Sequence, residues 1–441
     1  MADTTNNRVL EYNKPFTACA TLPCVGRGAN IVFGQVGNFS AGGCNLGNFT
    51  IAPSANSLCT PNGVAIDSHD NVFITDVINN RVLEYISPLT PSATAGSGDT
   101  VADLVFGQGA SGASFTTNTI LAVSATSLSG PRGVATDSVG NVYIADSANN
   151  RILEYKENTN PPANVTANLA FNTGGSLATA GFCGASATNL CAPYQLAFDV
   201  GGNLYVADRS DNRVLEYDTP ASSADTSADM NIGTPSDPAC FTGGVLTASN
   251  VCAPQGVAID SAGDVFVSDT NNNRILKFVT PRTTDTKADA VLGQGDFPFH
   301  TANTVDGHGM FRPDGIAIDR NSKPNHLYVA DTSNSRVLGW DNAVGFANGA
   351  AADLVIGQGD FYSGNGNRAG AAPAANTLAG PNAVAVDGDG NLYVADTSNN
   401  RVLEYNIPFS SCGSFPCIGS AATKVFGQGG NFTTHAAASP P

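Results

Sequence analysis

The chain has 441 residues, with 20 Lys and Arg against 37 Asp and Glu, a formal net charge of −17. That balance argues against nucleic acid and against anionic membrane surfaces as partners. No apolar run approaches the roughly 18 residues of a membrane-spanning helix, and residues 1–20 are polar rather than leader-like, so the start reads as a processed or truncated boundary.

The chain opens, at Ala2 to Tyr12, on the second half of a phrase that is complete at Gly380 to Tyr405. Complete copies begin at Pro61, Pro131, Pro193, Pro254, Pro313 and Pro381. An aspartate ends the same phrase at positions 3, 76, 146, 208, 269, 331 and 396, at intervals of 61 to 73 residues. Within each copy, Gly-Val-Ala-Ile-Asp is a short apolar run closed by Ser, Gly, Asn or Asp. Asn-Leu-Tyr-Val-Ala-Asp follows as a second run. A Thr-Ser-Asn-Asn turn leads to Arg-Val-Leu-Glu-Tyr, which alternates polar and apolar positions as a half-buried strand does. Leu-Val-Phe-Gly-Gln makes a fourth strand, and no stretch shows a sustained helical period. Residues 1–35 supply only a third and a fourth strand.

Repeats of this length decide the fold. A four-stranded meander repeated about six times predicts an all-β propeller, which removes most sheet edges by radial repetition. The motif Pro-x-Gly-Val-Ala-x-Asp…Gly-Asn-x-Tyr-Val-Ala-Asp-x-x-Asn-Asn-Arg-Val-Leu-Glu-Tyr resembles the NHL repeat over almost the whole chain. That resemblance implies a mostly six-bladed ring. The added Val-Phe-Gly-Gln phrase and long loops are similar to large bacterial extracellular NHL-repeat proteins. The strand count is two more than six blades need and two fewer than seven. The expectation is one domain over 1–434: six four-stranded blades beginning near 61, 131, 193, 254, 313 and 381, with a surplus half-blade at 1–35. Residues 2–35 and 395–428 then compete for the outer half of one blade, and residues 435–441 are a linker-like tail. Seven blades are the alternative, and would leave a hole beside the axis.

Ten cysteines fall into five local pairs: Cys19 with Cys24, Cys44 with Cys59, Cys183 with Cys191, Cys240 with Cys252, and Cys412 with Cys417. Even number, loop placement and equivalence between repeats favour disulfides and an oxidising, extracellular setting over metal binding. Asn38, Asn48, Asn164 and Asn431 begin Asn-x-Ser/Thr sequons.

The connections from fourth to first strands are long, and three carry proposed disulfides. They lie on one face with the second-to-third turns, and that face is the expected working face. The residue after each repeat proline varies: Asn62, Arg132, Tyr194, Gln255, Asp314 and Asn382. These six should ring one mouth of the central channel as candidate ligand contacts, unless they are solvated loop positions free to drift. Phe297, Phe299, Phe361 and Tyr362 are further loop candidates. The repeated aspartates invite calcium, but they are spread one per blade, and turn capping and Arg pairing explain them. No catalytic residue and no cofactor is expected. A single axial calcium or zinc ion is the alternative, with His300 and His308 its first ligands to consider. The expected role is a binding propeller for a protein or glycan. An axial-metal lyase or hydrolase, or a subunit that self-associates through the surplus half-blade, are the competing readings.

Overall fold

The computed structural model describes residues 2–11, 29, 31–36, 38, 42–47, 50–86, 88, 100–156, 165–184, 186, 188–223, 225–235, 240, 245–302, 304–370, 372–426 and 431–434. They form seven sheets, not six. Blade I is β1 (Ala2–Asp3), β2 (Arg8–Glu11) and β3 (Ile31–Phe33). Blade II is β4 (Pro61–Ile66), β5 (Val72–Asp76), β6 (Arg81–Tyr85) and β7 (Leu104–Phe106). Blade III is β8 (Val134–Thr136), β9 (Val142–Asp146), β10 (Arg151–Tyr155) and β11 (Leu169–Phe171). Blade IV is β12 (Pro193–Phe198), β13 (Leu204–Asp208), β14 (Arg213–Tyr217) and β15 (Met230–Ile232). Blade V is β16 (Val257–Ile259), β17 (Val265–Asp269), β18 (Arg274–Phe278) and β19 (Ala290–Leu292). Blade VI is β20 (Pro313–Asp319), β21 (His326–Asp331), β22 (Arg336–Trp340) and β23 (Leu354–Ile356). Blade VII is β24 (Pro381–Val386), β25 (Leu392–Asp396), β26 (Arg401–Tyr405) and β28 (Lys424–Phe426). The insert before β28 carries β27 (Cys417–Ile418), which adds in parallel to the outer edge of blade VI.

Two expectations are corrected. The opening segment and residues 395–428 do not share a blade; each stands in its own. Blade I also has a second strand, the two-residue β1 paired with β2, so only the innermost strand is missing among the described residues. Alanine and aspartate are too short a stretch to read as a strand by alternation, and β1 is recognised only from its pairing.

The repeated Asp–Arg pair interlocks the blades. In blade II, Asp76 Oδ2 accepts from Arg81 Nε at 2.8 Å, while its Oδ1 accepts from the Cys59 amide at 2.6 Å. Arg81 Nη2 donates to Ser54 and Ser57 carbonyls in the loop before the blade, and Nη1 to Phe115 in the loop after it. One guanidinium thus satisfies carbonyls of two consecutive loops. The pattern repeats around Arg151, Arg274, Arg336 and Arg401, each with its aspartate. The second Asn of the turn takes a left-handed conformation, for example Asn80 at φ 53°, which asparagine tolerates. Its side chain reaches the next blade: Asn80 Oδ1 accepts from the Gly130 amide at 2.9 Å. Asn7 does the same for Thr60 at 2.7 Å, tying blade I to blade II.

The first-strand aspartates are turn caps. Asp67 Oδ1 accepts the amides of His69 and Asn71, and the same geometry recurs at Asp137, Asp199, Asp260 and Asp387.

The apolar core lies between blades. Six buried clusters join successive neighbours from I–II to VI–VII. Among the described residues no such cluster joins VII to I.

Four disulfides form as expected: Cys44–Cys59, Cys183–Cys191, Cys240–Cys252 and Cys412–Cys417. Cys19 and Cys24, expected as a fifth bridge, both lie outside the described residues. The four bridges suggest an oxidising, extracellular environment. No helix among the described residues is long and apolar enough to cross a membrane.

Arg151→Leu should lower unfolding free energy in denaturant titrations by about 3–5 kcal/mol, because it strands Asp146 as a buried carboxylate. Arg8→Leu should cost clearly less, since the Asp3 side chain is 12% exposed and can be hydrated.

A second prediction concerns pH. Burial pushes the Glu216 carboxyl up to about 7 against the pull of Arg282, and Asp229, Asp218 and Asp199 add to the rise. Folding therefore favours its protonated form. The stability gained is full below the ordinary value of 4.5 and is lost as pH rises through about 7. Between about pH 5 and about pH 8 the parent chain should lose stability relative to Glu216→Gln, read as diverging denaturation midpoints.

Candidate functional site

The six inner strands, β4, β8, β12, β16, β20 and β24, line the axis. Their proline ends open on the face that carries the long loops, because each first-strand proline opposes the aspartate ending the second strand: Pro61 pairs with Asp76, Pro193 with Asp208 and Pro381 with Asp396. Hydroxyls at the second-strand end hold the next proline in place. Ser147 Oγ donates to the Pro193 carbonyl at 2.6 Å and Thr270 Oγ1 to that of Pro313 at 2.8 Å.

Two positions on, glycine lets neighbouring inner strands approach. A Cβ on Gly133 would lie 2.2 Å from the Tyr194 carbonyl oxygen, and one on Gly256 would lie 2.7 Å from that of Asp314. In blade IV the place is held by Gln195, whose Oε1 instead accepts from the Val257 amide at 3.1 Å.

This packing brings all six predicted ring residues together. Asn62, Arg132, Tyr194, Gln255, Asp314 and Asn382 all line one depression of ≈ 680 Å³ at the axial mouth. They interact with one another and with the turns. Gln255 Nε2 donates to Asp314 Oδ1 at 2.9 Å, and Thr397 Oγ1 donates to Asn382 Oδ1 at 2.7 Å. The Arg132 guanidinium carbon lies 5.5 Å from the Tyr194 ring centre, and that of Arg209 lies 5.9 Å from it. A tyrosine between two guanidiniums is a cation–π arrangement. Burial pushes the Asp314 carboxyl up, while Arg312, Thr332 and Arg209 pull it down.

Arg132 lines the mouth beside Asp314, Arg209 lies against Tyr194 and Arg312 acts on Asp314; all three are exposed in a strongly acidic chain, whereas the repeat arginines are buried against aspartates. Sequence reading missed Arg209 and Arg312. The signal was present at Arg209, which stands where the other complete blades carry Val77, Ser147, Thr270, Thr332 and Thr397.

The depression also extends sideways, a feature not anticipated from the sequence. Ala383, Ala385, Tyr393, Ala395 and Val402 of blade VII line it, with Ala2 and Thr4 of blade I. At the opposite end of the axis, Arg320 Nε donates to the Ile259 carbonyl at 2.8 Å, and Asn321 Nδ2 to that of Gly388 at 3.0 Å. They line a smaller depression of ≈ 420 Å³.

The loop aromatics do not join the mouth, since none of the four lines the depression. Phe297 and Phe361 are half-buried against the blade cores, and their carbonyls accept from Arg274 and Arg336. Phe299 and Tyr362 are exposed, at 57% and 78%. His300 and His308 lie in the loop between blades V and VI, and neither lines the depression. The His300 carbonyl accepts from Asn273, and His308 faces Asp306. Among the described residues, no three of His, Cys, Asp and Glu come together as around a metal ion.

Seven radial sheets around one axis define a seven-bladed β-propeller, and its common Asp–Arg interlock marks the blades as copies of one unit. That unit is the NHL repeat: the family matches residues 128–155, 251–278 and 378–405, in blades III, V and VII. The chain is a seven-bladed propeller that carries NHL repeats at these three places. No curated protein matches it significantly. Among solved structures, a streptogramin B lyase is 11% identical with a TM-score of 0.44, over 81% of both chains. A virginiamycin B lyase from Staphylococcus aureus is 13% identical with a TM-score of 0.46, over 80% of this chain and 83% of its own. A gluconolactonase from Xanthomonas campestris is 14% identical with a TM-score of 0.40, over 78% of this chain and 83% of its own. At these identities the likeness carries nothing about activity.

Gly133→Ala should destabilise the chain by about 1–3 kcal/mol through overpacking against Tyr194. Gly295→Ala, with nothing within 4 Å of the new methyl, should stay within about 0.5 kcal/mol. Thermal or denaturant midpoints of the two variants check this directly.

Proposed function

We propose that this chain is a secreted, non-catalytic binding propeller that recognises a protein or glycan through its long-loop face, with the axial mouth as the contact site. The observation that carries the reading is the convergence of Asn62, Arg132, Tyr194, Gln255, Asp314 and Asn382 on one depression. Amides, a phenol and guanidiniums offer hydrogen bonds in many directions, and the half-exposed Tyr194 ring offers a flat apolar face. The residue type changes from blade to blade while the scaffold beneath stays constant, an arrangement suited to reading an asymmetric ligand. Arg132, Arg209 and Arg312 favour a ligand with acidic groups, such as an acidic glycan or an acidic protein segment. The cross-linked loops hold the surrounding face in place, which limits the ordering cost of binding.

The test is a binding screen of the purified chain against acidic and neutral glycans and acidic peptides, followed by titration of any hit. Arg132→Ala and Tyr194→Ala should each weaken a genuine mouth ligand by about tenfold or more, about 1.4 kcal/mol. Phe299→Ala and Tyr362→Ala should leave it unchanged. Binding that responds to the loop aromatics and ignores the ring would move the site away from the axis. A screen without any saturable ligand would overturn the reading.

A further inference from the structure

Blade V departs from the repeat at two positions that meet in its interior. The residue before the second strand is Asn71, Asn141, Asn203 and Asn391 in blades II, III, IV and VII, but Asp264 in blade V. The fourth residue of the third strand is Glu84, Glu154, Glu216 and Glu404 in those blades, but Lys277 in blade V. Blade VI carries His326 and Gly339 at the two places. In the four asparagine blades, Nδ2 donates to Oδ2 of the first-strand aspartate, as Asn71 does to Asp67 at 2.9 Å and Asn141 to Asp137 at 2.8 Å. An ionised aspartate offers no such donor, and in blade V Asp260 Oδ2 is buried without a hydrogen-bond partner. Asp264 lies instead against Lys277, with Nζ 3.0 Å from Oδ2 and the two side chains only 2% and 4% exposed.

The surroundings hold amine and carboxyl together from both sides. Lys277 Nζ also donates to the Val344 carbonyl at 2.6 Å, and the rings of Phe266 and Phe346 stand 5.7 and 5.6 Å from it. Asp264 Oδ1 accepts from the Thr280 amide at 3.0 Å. Asp260 Oδ1 accepts the Ala262 and Asp264 amides, which fixes the turn that carries both aspartates. Val344 and Phe346 belong to the connection between β22 and β23, so this pocket is complete only once blade VI has docked on blade V.

We propose that Lys277 and Asp264 condense after folding into an intramolecular amide, with Asp260 as the proton carrier. The ion pair contains every atom the step needs, and fixed contact between the reacting groups replaces external activation. One Nζ proton passes to Asp264 Oδ2, which leaves a neutral amine beside a carboxylic acid. The Nζ lone pair then adds to Cγ. A second Nζ proton reaches the same oxygen by way of Asp260, the Cγ–Oδ2 bond breaks, and one water departs. Nothing is oxidised or reduced. The aromatic walls keep water from reversing the reaction.

The product accounts for the orphaned oxygen. Nζ keeps one hydrogen, and once joined to Cγ it occupies the place that Asn Nδ2 holds in the other blades. Asp260 Oδ2 then gains the donor it lacks. A second buried pair, Lys424 with Glu404 at 3.1 Å, has no such carrier. There Asp387 Oδ2 already accepts from Asn391 Nδ2 at 3.0 Å and from the Tyr393 hydroxyl at 3.1 Å. One bond is therefore expected, at blade V. It ties the start of β17 to β18, where Phe266 pairs with Lys277, and it does not depend on the disulfides.

The test is the intact mass of the purified, folded full chain, measured after reduction and denaturation. The expected mass is that of the sequence less one water. Lys277→Arg, which keeps the cation beside Asp264, and Asp260→Asn should both restore the full mass. In tryptic digests of the parent chain, cleavage after Lys277 should be lost, and fragmentation should show a branch joining Lys277 to Asp264. The full sequence mass in the parent chain would overturn the proposal. So would a water loss that persists in Lys277→Arg, because ring closure at an Asp-Gly step such as Asp387–Gly388 also releases water. A loss that persists in Asp260→Asn would overturn the part given to Asp260. Fragmentation of the parent chain decides the matter even if Lys277→Arg misfolds.

Discussion

The buried Asp–Arg pair is the constraint from which the rest of this molecule follows. Placing a guanidinium and a carboxylate at 0% exposure is costly unless every donor and acceptor is used. The NHL repeat meets that demand with groups from three places: the aspartate and asparagine of its own turn, the carbonyls of the loop before the blade, and a carbonyl of the loop after it. Arg81, Arg151, Arg274, Arg336 and Arg401 each therefore fix two loops as well as a hairpin. The loop face becomes rigid for electrostatic reasons, and rigidity there places six variable side chains at one mouth. The same pairing uses the repeat arginines internally, so Arg132 at the mouth and the exposed Arg209 and Arg312 beside it stand out from an acidic background.

Much of this was legible in the residues. The seven aspartates and the arginines five residues on gave the Asp–Arg pairing, though not the loop carbonyls it joins, and the position after each proline gave the ring. The blade count was not legible, because the two-residue β1 has no alternation to read. Without it, the opening segment looked like half of a blade that blade VII already completed. The partial exposure of Tyr393, Ala395 and Val402 was not legible for a related reason. In the repeat they are core positions, and only the absence of the neighbouring inner strand exposes them. Local pattern cannot carry that information, since it lies in what packs across the seam. The loop aromatics are placed apart from the mouth: Phe297 and Phe361 stand in two different long loops, half-buried, with carbonyls that are acceptors in the interlock, while Phe299 and Tyr362 are exposed.

The open seam also bears on how the ring is stabilised. In a propeller closed by a shared blade, the two chain ends hold the circle together. Here the buried clusters run from I–II to VI–VII, and asparagine–amide bonds cross from blade to blade along the same path. Stability is then close to a sum of nearest-neighbour terms, as in a linear array of repeats. An array of that kind does not depend on closure, so a missing strand at one seam leaves the other six intact. It also leaves blade I attached through one neighbour by its buried cluster, and it opens an apolar recess beside a polar mouth.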